Sequence, residues 1–397
     1  MVLYFSSDDQ ERFKLNLEKI KTYNSFVPGI KLIGHRGMGP SSNTRMITSD
    51  LLPENTLSSF KEAIILGVDG IEFDLVNSRD NSIMVIHSDQ LWLHLHDCPR
   101  DGSLLPPGET KDSYRVSKKT TNQLKEISVG PNQDKIPTLI EVLNLVTEAN
   151  EIRKHFGLTD LILNLEFKCS KKSELEITTT LENTLKELKD YMVEYPNSGI
   201  NLEKIYFCSF NHNALINLIN IAREMQLRCI RIAPIIKTAT LFGKDNVDLN
   251  YMVKEGVVNY DLEGLDNLRS LLLDHDQYFT AYDVILWDVY LPFIELAISR
   301  DKQLHTSTSD YRTYDIPSTF CVFLLKMSDK IPIYFKCDAV GNAMDLLIHK
   351  AKLLDRHEKN KKFLQRNIAI DGSLEKQLSN TSRGSSVLLS LLLKPNL

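Results

Sequence analysis

The segment Gly70–Asn77 (GIEFDLVN) reads as a β-strand, which puts Glu72 and Asp74 on one face and Ile71, Phe73 and Leu75 on the other. Two carboxylates on an inner face repel each other and are costly to desolvate. A hard divalent cation resolves both problems, because oxygen ligands suit Mg²⁺, Ca²⁺ or Mn²⁺. Glu166 takes the matching place in LILNLEFK, with Asn164 and Lys168 on its face, so three carboxylates can converge on one ion. His35 ends one apolar run and His87 ends Met84–Ile86. Imidazoles titrate near neutrality and can move protons on either side of a reacting group. Arg36 and Lys168 add positive charge of the kind that holds phosphate oxygens. Together these groups point to phosphodiester cleavage: the metal polarises the phosphoryl group, one imidazole activates a nucleophile and the other protonates the leaving oxygen. Singly, each has a bland reading. A lone Glu-x-Asp is more often an exposed edge or an ion pair, a strand-end histidine is usually structural, and Glu54-Asn55-Thr56 reads equally as a helix cap.

These residues need a scaffold that brings strand ends together. Short apolar runs alternate with helical patterns along the chain. Strand-like runs fall near residues 33, 72, 163, 207, 230, 286, 305 and 334, with Ile83–His87 as an excursion. Between them, helical spacing appears over Asn55–Leu66, Pro137–Val146, Ser173–Tyr191, Ala214–Gln226 and Phe293–Arg300. Strands alternating with helices imply a parallel sheet, and eight repeats predict a closed (β/α)₈ TIM barrel of the α/β class. Ser88–Lys135 reads as an inserted loop region after strand 2, and a Leu-rich segment (Leu268, Leu271, Leu272, Leu273) predicts an added helix. The expected organisation is an N-terminal helical or extended segment over 1–30, a barrel over 31–338 carrying the 88–135 insertion, and a C-terminal helical extension over 339–397. A helix is expected at Ala343–Leu354, and the last part of the extension is expected to be mobile.

Order and spacing raise the separate signals. His35-Arg36-Gly37, Pro53-Glu54-Asn55-Thr56-Leu57 with Ser59-Phe60, Gly70-Ile71-Glu72-Phe73-Asp74 and Val85-Ile86-His87 closely resemble the glycerophosphodiester phosphodiesterase family, of the PLC-like phosphodiesterase superfamily. Leu165–Lys168 is similar to its third carboxylate motif, Ser209-Phe210 to its strand-four motif, and Ile136–Leu139 with Glu141–Leu143 to the helix before the third motif. The resemblance implies a TIM barrel that hydrolyses glycerophosphodiesters to sn-glycerol 3-phosphate and an alcohol. Glu72, Asp74 and Glu166 would hold the metal, Ca²⁺ or Mg²⁺ with Mn²⁺ also open, and His35 and His87 would be the acid–base pair. Arg36 and Lys168 would hold the phosphate, Glu54 would lie near the metal or the substrate glycerol, and Phe210 would join the substrate site. The family's use of the neighbouring glycerol hydroxyl as internal nucleophile, through a cyclic phosphate, would gain from proximity. The sequence departs from the pattern at His87-Ser88-Asp89, at Leu93-His94-Leu95 where Arg-Thr-Thr is usual, in the long gap Met38–Leu52, and at Leu304–Ser309, which lacks the expected Trp-Thr. These departures touch the choice of substrate more than the reaction class.

Composition bounds the rest. The 397 residues are 42% hydrophobic and 25% charged, which sets aside collagenous, coiled-coil and largely disordered readings. A net charge of −5 disfavours nucleic acid as a partner, and no apolar run reaches the roughly 18–20 residues of a membrane-spanning helix. The expected partner is a small-molecule glycerophosphodiester or a lipid headgroup, with peripheral membrane contact left open. The start MVLYFSSDDQERF lacks the basic and apolar regions of a secretory signal, and six cysteines show no zinc-like spacing. Buried reduced thiols in a cytoplasmic protein are the simple reading, with signal-independent export open. His94-x-His96-Asp97 invites a second metal site but reads more simply as a mobile insertion, and the Leu-rich stretch Leu388–Leu393 as one packed on the barrel. Two other readings compete: a phospholipase C- or D-type enzyme acting on phospholipids or lysophospholipids, and a barrel that binds its ligand without turnover.

Overall fold

The structure, a computed structural model, describes residues 3–38, 52–94, 102–130, 133–169, 172–238, 259–260, 276–285, 297–307, 318–337 and 339–370. Most of Met38–Leu52, His96-Asp97, the Leu-rich segment 268–273, most of the Phe293–Arg300 helix and the terminus with Leu388–Leu393 lie outside the described residues.

The chain opens on helix α1 (Ser7–Phe26), started by a capping box in which the Ser6 hydroxyl accepts from the Asp9 N–H and the Asp9 carboxylate accepts from the Ser6 N–H. It leads into β1 (Ile30–Gly34), α2 (Leu57–Ile65), β2 (Gly70–Asn77) and β3 (Ile83–Val85). Next come α3 (Thr121–Glu126), β4 (Ser128–Val129) and β5 (Asp134–Lys135), then α4 (Leu139–His155), β6 (Ile162–Phe167) and α5 (Glu174–Glu194). The series continues with β7 (Ile205–Ser209), α6 (His212–Glu224), β8 (Arg231–Thr238), β9 (Asn259–Tyr260), β10 (Ala281–Ile285), β11 (Gln303–Ser307), α7 (Ser318–Met327), β12 (Ile333–Cys337) and α8 (Val340–Ile370). Helices α4 and α5 begin with the same reciprocal cap as α1, through Thr138 with Glu141 and Ser173 with Glu176.

Eight strands pair in the order β1, β2, β6, β7, β8, β10, β11, β12, and β12 returns to β1 in parallel register, Leu32 facing Phe335. The sheet is therefore closed, and the expected (β/α)₈ barrel is what forms. Ile71, Phe73 and Leu75 point outward into the large apolar cluster shared with the helices, together with Phe60, Leu139, Leu143, Leu163 and Leu165. Burial of this surface, at about 25 cal/mol per Å² of apolar area, drives assembly. Alternation then sends Glu72 and Asp74 to the inside.

The region after strand 2 differs from the loop expected of it. β3 folds back antiparallel on β2, with Leu75 facing Val85. Val76, Met84, Ile86, Leu91, Trp92, Tyr114, Val116, Leu124, Val129 and Ile136 form a separate buried cluster. Asp89 ties this unit together, accepting from the Ser117 N–H (2.8 Å) and its hydroxyl (3.1 Å). The segment carries enough aliphatic and aromatic side chains to build a small core of its own, so its described part is packed.

Candidate active site

The carboxyl ends of the eight strands converge at one mouth, where active sites of such barrels lie. Asp74 and Glu166 sit opposite each other in the β2–β6 register. Oxygens of Glu72, Asp74 and Glu166 all lie within 4.8 Å of one another, and all three residues are buried. Around them the chain ends of β1, β3 and β6 each deliver a charged or titratable side chain.

From β1 the chain enters a tight turn. Arg36 has φ +50° and Gly37 φ +85°, the left-handed region. A Cβ on Gly37 would sit 2.4 Å from Ser59 Oγ, so the turn needs glycine there to nest against α2. The Ser59 hydroxyl accepts from the Met38 N–H (2.7 Å) and donates to the Arg36 carbonyl (3.2 Å). The turn holds Arg36 so that its N–H donates to Glu72 Oε2 (2.8 Å), its Nη1 to Glu54 Oε2 (2.8 Å), and its Nε lies 3.3 Å from Asp74 Oδ2. His35, with a side chain 12% exposed, has Nε2 at 3.8 Å from the same Glu72 oxygen.

From β6, Lys168 reaches Asp74 Oδ1 (2.9 Å) and pairs closely with Glu166. From β3, Ile86 donates its N–H to the Asp74 carbonyl (3.0 Å), which carries His87 over the mouth. Burial, then the nearby Arg36 and Lys168 charges, hold the His87 ring well below its ordinary pKa, so the free ring is neutral. Phe210 follows β7 and packs on Cys208, Ala233, Ile235 and Ala281. His35, Arg36, Glu54, Glu72, Asp74, Glu166 and Lys168 thus meet at one mouth beside His87, while Phe210 packs on the inner side chains of β7, β8 and β10.

Two residues that the sequence reading assigned elsewhere join the site, and two more escaped it. Asn55, open to reading as a cap, takes φ +59°; its carboxamide donates to Asp74 Oδ2 (2.7 Å) and accepts from the Asp74 N–H (3.2 Å). The cap itself is Thr56, whose hydroxyl accepts from the Ser59 N–H. His94, assigned to a mobile insertion, is 4% exposed and stands with Nδ1 3.8 Å from Glu54 Oε1. Its ring lies edge-on to that of His87, centroids 6.4 Å apart. Lys336 on β12 and Asp283 on β10 form a buried ion pair deeper in the barrel, and Lys336 bears electrostatically on Glu72. Their only sequence signal was polarity inside strand-like runs.

The electrostatics favour a divalent cation. Burial, then repulsion from Asp74, pushes the Glu72 carboxyl up to about 7. Burial also acts on Asp74, but Lys168 and Arg36 outweigh it and lower that carboxyl. With every carboxyl ionised, Glu54, Glu72, Asp74, Glu166 and Asp283 would outnumber Arg36, Lys168 and Lys336 by two charges, and burial resists that state by raising Glu54 and Glu72. Glu72 Oε1 is buried without a hydrogen-bond partner among the described residues. Such an atom is costly unless a ligand completes it. An all-oxygen donor set with two surplus charges once ionised fits a hard divalent ion.

A (β/α)₈ barrel with an acidic cluster, two cations and three histidines at its carboxyl mouth is an architecture suited to phosphoester chemistry. The chain belongs to the glycerophosphoryl diester phosphodiesterase family, whose sequence profile matches residues 35–263. It is 28% identical over 203 residues to a glycerophosphodiester phosphodiesterase of Caldanaerobacter subterraneus subsp. tengcongensis; the match covers 49% of this chain and 64% of that relative, less than two thirds of its length. The fold is similar to a crystal structure from Silicibacter pomeroyi DSS-3 (TM-score 0.53, 16% identity, 82% of this chain and 97% of that one). It is also similar to one from Galdieria sulphuraria (TM-score 0.51, 18% identity, 80% and 97%). Among the described residues, no helix is long and apolar enough to cross a membrane.

Proposed function

We propose that this chain hydrolyses glycerophosphodiesters to sn-glycerol 3-phosphate and an alcohol. The carrying observation is the convergence of Glu72, Asp74 and Glu166 within 4.8 Å, in a member of this family, at a mouth that also holds His35 and His87. A divalent ion held by these three carboxylates, Ca²⁺ or Mg²⁺ with Mn²⁺ a third option, supplies Lewis-acid polarisation of the phosphoryl oxygens. Arg36 and Lys168 bind the phosphate and fix its orientation. Glu54 and Phe210 line the substrate's place. One imidazole takes the proton of the attacking glycerol hydroxyl as its oxygen bonds to phosphorus. The other gives a proton to the departing alcohol oxygen as the P–O bond breaks. Water then opens the cyclic phosphate with the two rings in exchanged roles.

The test is enzyme-coupled detection of sn-glycerol 3-phosphate from glycerophosphocholine, glycerophosphoethanolamine, glycerophosphoinositol and glycerophosphoglycerol, each with Ca²⁺, Mg²⁺, Mn²⁺ or EDTA. Metal-dependent release that Glu72→Ala abolishes is expected. Release that persists in EDTA and in Glu72→Ala would overturn the metal assignment, and silence on every diester would overturn the substrate assignment.

A further inference from the structure

His87 stands where the chain leaves the barrel for the insertion, and its backbone is anchored on both sides. Before it, the Ile86 N–H donates to the Asp74 carbonyl (3.0 Å) and the Val85 N–H to the Pro137 carbonyl (2.8 Å). That side is tied to the strand that carries Glu72 and Asp74. After it, Asp89 is tied to one short segment of the insertion. Its Oδ1 accepts from the Ser117 N–H (2.8 Å), its Oδ2 from the Ser117 hydroxyl (3.1 Å), and Arg115 Nη1 lies 3.4 Å from Oδ2. The Asp89 carbonyl accepts from the Val116 N–H (2.9 Å). Within the turn, the Gln90 N–H donates to the Ser88 hydroxyl oxygen (3.1 Å), and Gln90 bridges to Arg115 in antiparallel fashion. Ser88 alone separates His87 from this carboxylate.

The segment that grips Asp89 is itself fixed. Val116 is buried with Met84, Ile86, Leu91 and Trp92 in the insertion's own apolar cluster, and the Arg115 guanidinium lies over the Trp92 ring, 5.8 Å from its centroid. A carboxylate that accepts from a packed backbone N–H and pairs with a guanidinium makes a strong tether. We propose that Asp89 is a positioning residue for His87: it clamps the insertion onto the His87 turn and so holds the imidazole at the mouth for proton transfer. This inference rests on the phosphodiesterase reading, in which His87 is one of the two proton-transfer groups. Proton transfer needs heavy atoms about 2.6–3.2 Å apart, and a misplacement of about 1 Å can cost about 10²-fold in rate. Arg36 and Lys168, which bind the phosphate in that reading, are held by the turn after β1 and by β6. The clamp therefore bears on kcat and leaves KM, and the insertion is part of the catalytic scaffold.

The test is steady-state kinetics on the full chain, with the diester and divalent ion that give the most turnover, well below the melting temperature of every variant. Asp89→Ala is expected to lower kcat about 10- to 100-fold while changing KM by less than about twofold. Asp89→Asn, which keeps an acceptor for the Ser117 N–H, should recover most of that loss. Asp89→Leu, close in size and without an acceptor, takes the alanine variant's place if that one melts early. Asp112→Ala removes an exposed carboxylate of the same insertion, 3.9 Å from Arg115 Nη2, and should leave kcat as it is. A second readout needs no turnover. In carbon–proton spectra of histidine-labelled protein, the His87 ring resonance, assigned by its loss in His87→Gln, should shift or broaden in Asp89→Ala and return towards its place in Asp89→Asn. An unchanged kcat in Asp89→Ala, a loss confined to KM, an asparagine variant no better than alanine, or an unmoved His87 resonance would overturn the clamp. Failure of the underlying function shows separately, as absence of sn-glycerol 3-phosphate release by wild type from every diester, and the spectra then still read the clamp.

Discussion

Replacing Glu72 by Gln separates what this carboxylate costs the fold from what it does for a cation. Glu72 is fully buried, and its raised carboxyl titrates at about 7 against an ordinary 4.5. Between those values the native chain binds a proton that the unfolded chain does not, so stability falls as pH rises through that window and the full penalty is present above pH 7. At about 1.4 kcal/mol per unit, the ionised side chain costs the metal-free fold about 3 kcal/mol at pH 8. Gln keeps an acceptor for the Arg36 N–H and carries no charge, so Glu72→Gln should stabilise the EDTA-treated protein by that amount. A divalent ion at 100 times its Kd should stabilise wild type by about 2.7 kcal/mol, a rise of about 5–10 °C in Tm at about 2–4 °C per kcal/mol. The same ion should move the variant by less than about 2 °C. Thermal scans by circular dichroism at pH 8, in EDTA and then in Ca²⁺ or Mg²⁺, read both effects. A variant less stable than wild type in EDTA, yet shifted as far by the ion, would refute the charge argument.

Three further outcomes follow from the same geometry. His35→Ala and His87→Ala should each lower kcat by about 10²–10⁴, and a loss confined to KM in steady-state assays would make them binding groups. Lys336→Met leaves Asp283 charged and unpaired in the barrel, so urea denaturation should show a loss of about 3–5 kcal/mol, most of it recovered in Lys336→Met/Asp283→Leu; an additive double variant would contradict this. Glu187 on α5 accepts from the Ile83 N–H (3.0 Å) and burial raises its carboxyl to about 7. Stability is therefore lost as pH rises from 4.5 to 7, and Glu187→Gln should flatten that decline by about 1–2 kcal/mol in chemical denaturation at pH 5 and pH 8.

Much of the site was legible before folding was considered. Glu72 and Asp74 share a face because strand side chains alternate, a property of two residues and the backbone between them. The caps at Thr138 and Ser173 likewise follow from residues three apart. Eight apolar runs separated by helical spacing sufficed for the barrel, since each run had only to become a strand buried on both faces. His35, Arg36, His87, Glu166 and Lys168 lie at the ends of such runs, and closure of the barrel brings strand ends to one mouth.

What escaped the linear reading depends on contacts across that closure. Asn55 looks like a cap until Asp74 is placed against it. The Lys336–Asp283 pair spans 53 residues and joins strands β12 and β10, which do not pair with each other. His94 lies in a segment that reads as a loop, and only the packing of Trp92 and Leu91 into a second core turns its ring toward Glu54. Sequence by itself determined which residues could ligate, titrate and pair, because those properties belong to side-chain chemistry and local backbone period. Tertiary structure decided which of them meet and how many charges are left unbalanced where they do, because desolvation and Coulomb energies depend on distances that only the closed barrel sets.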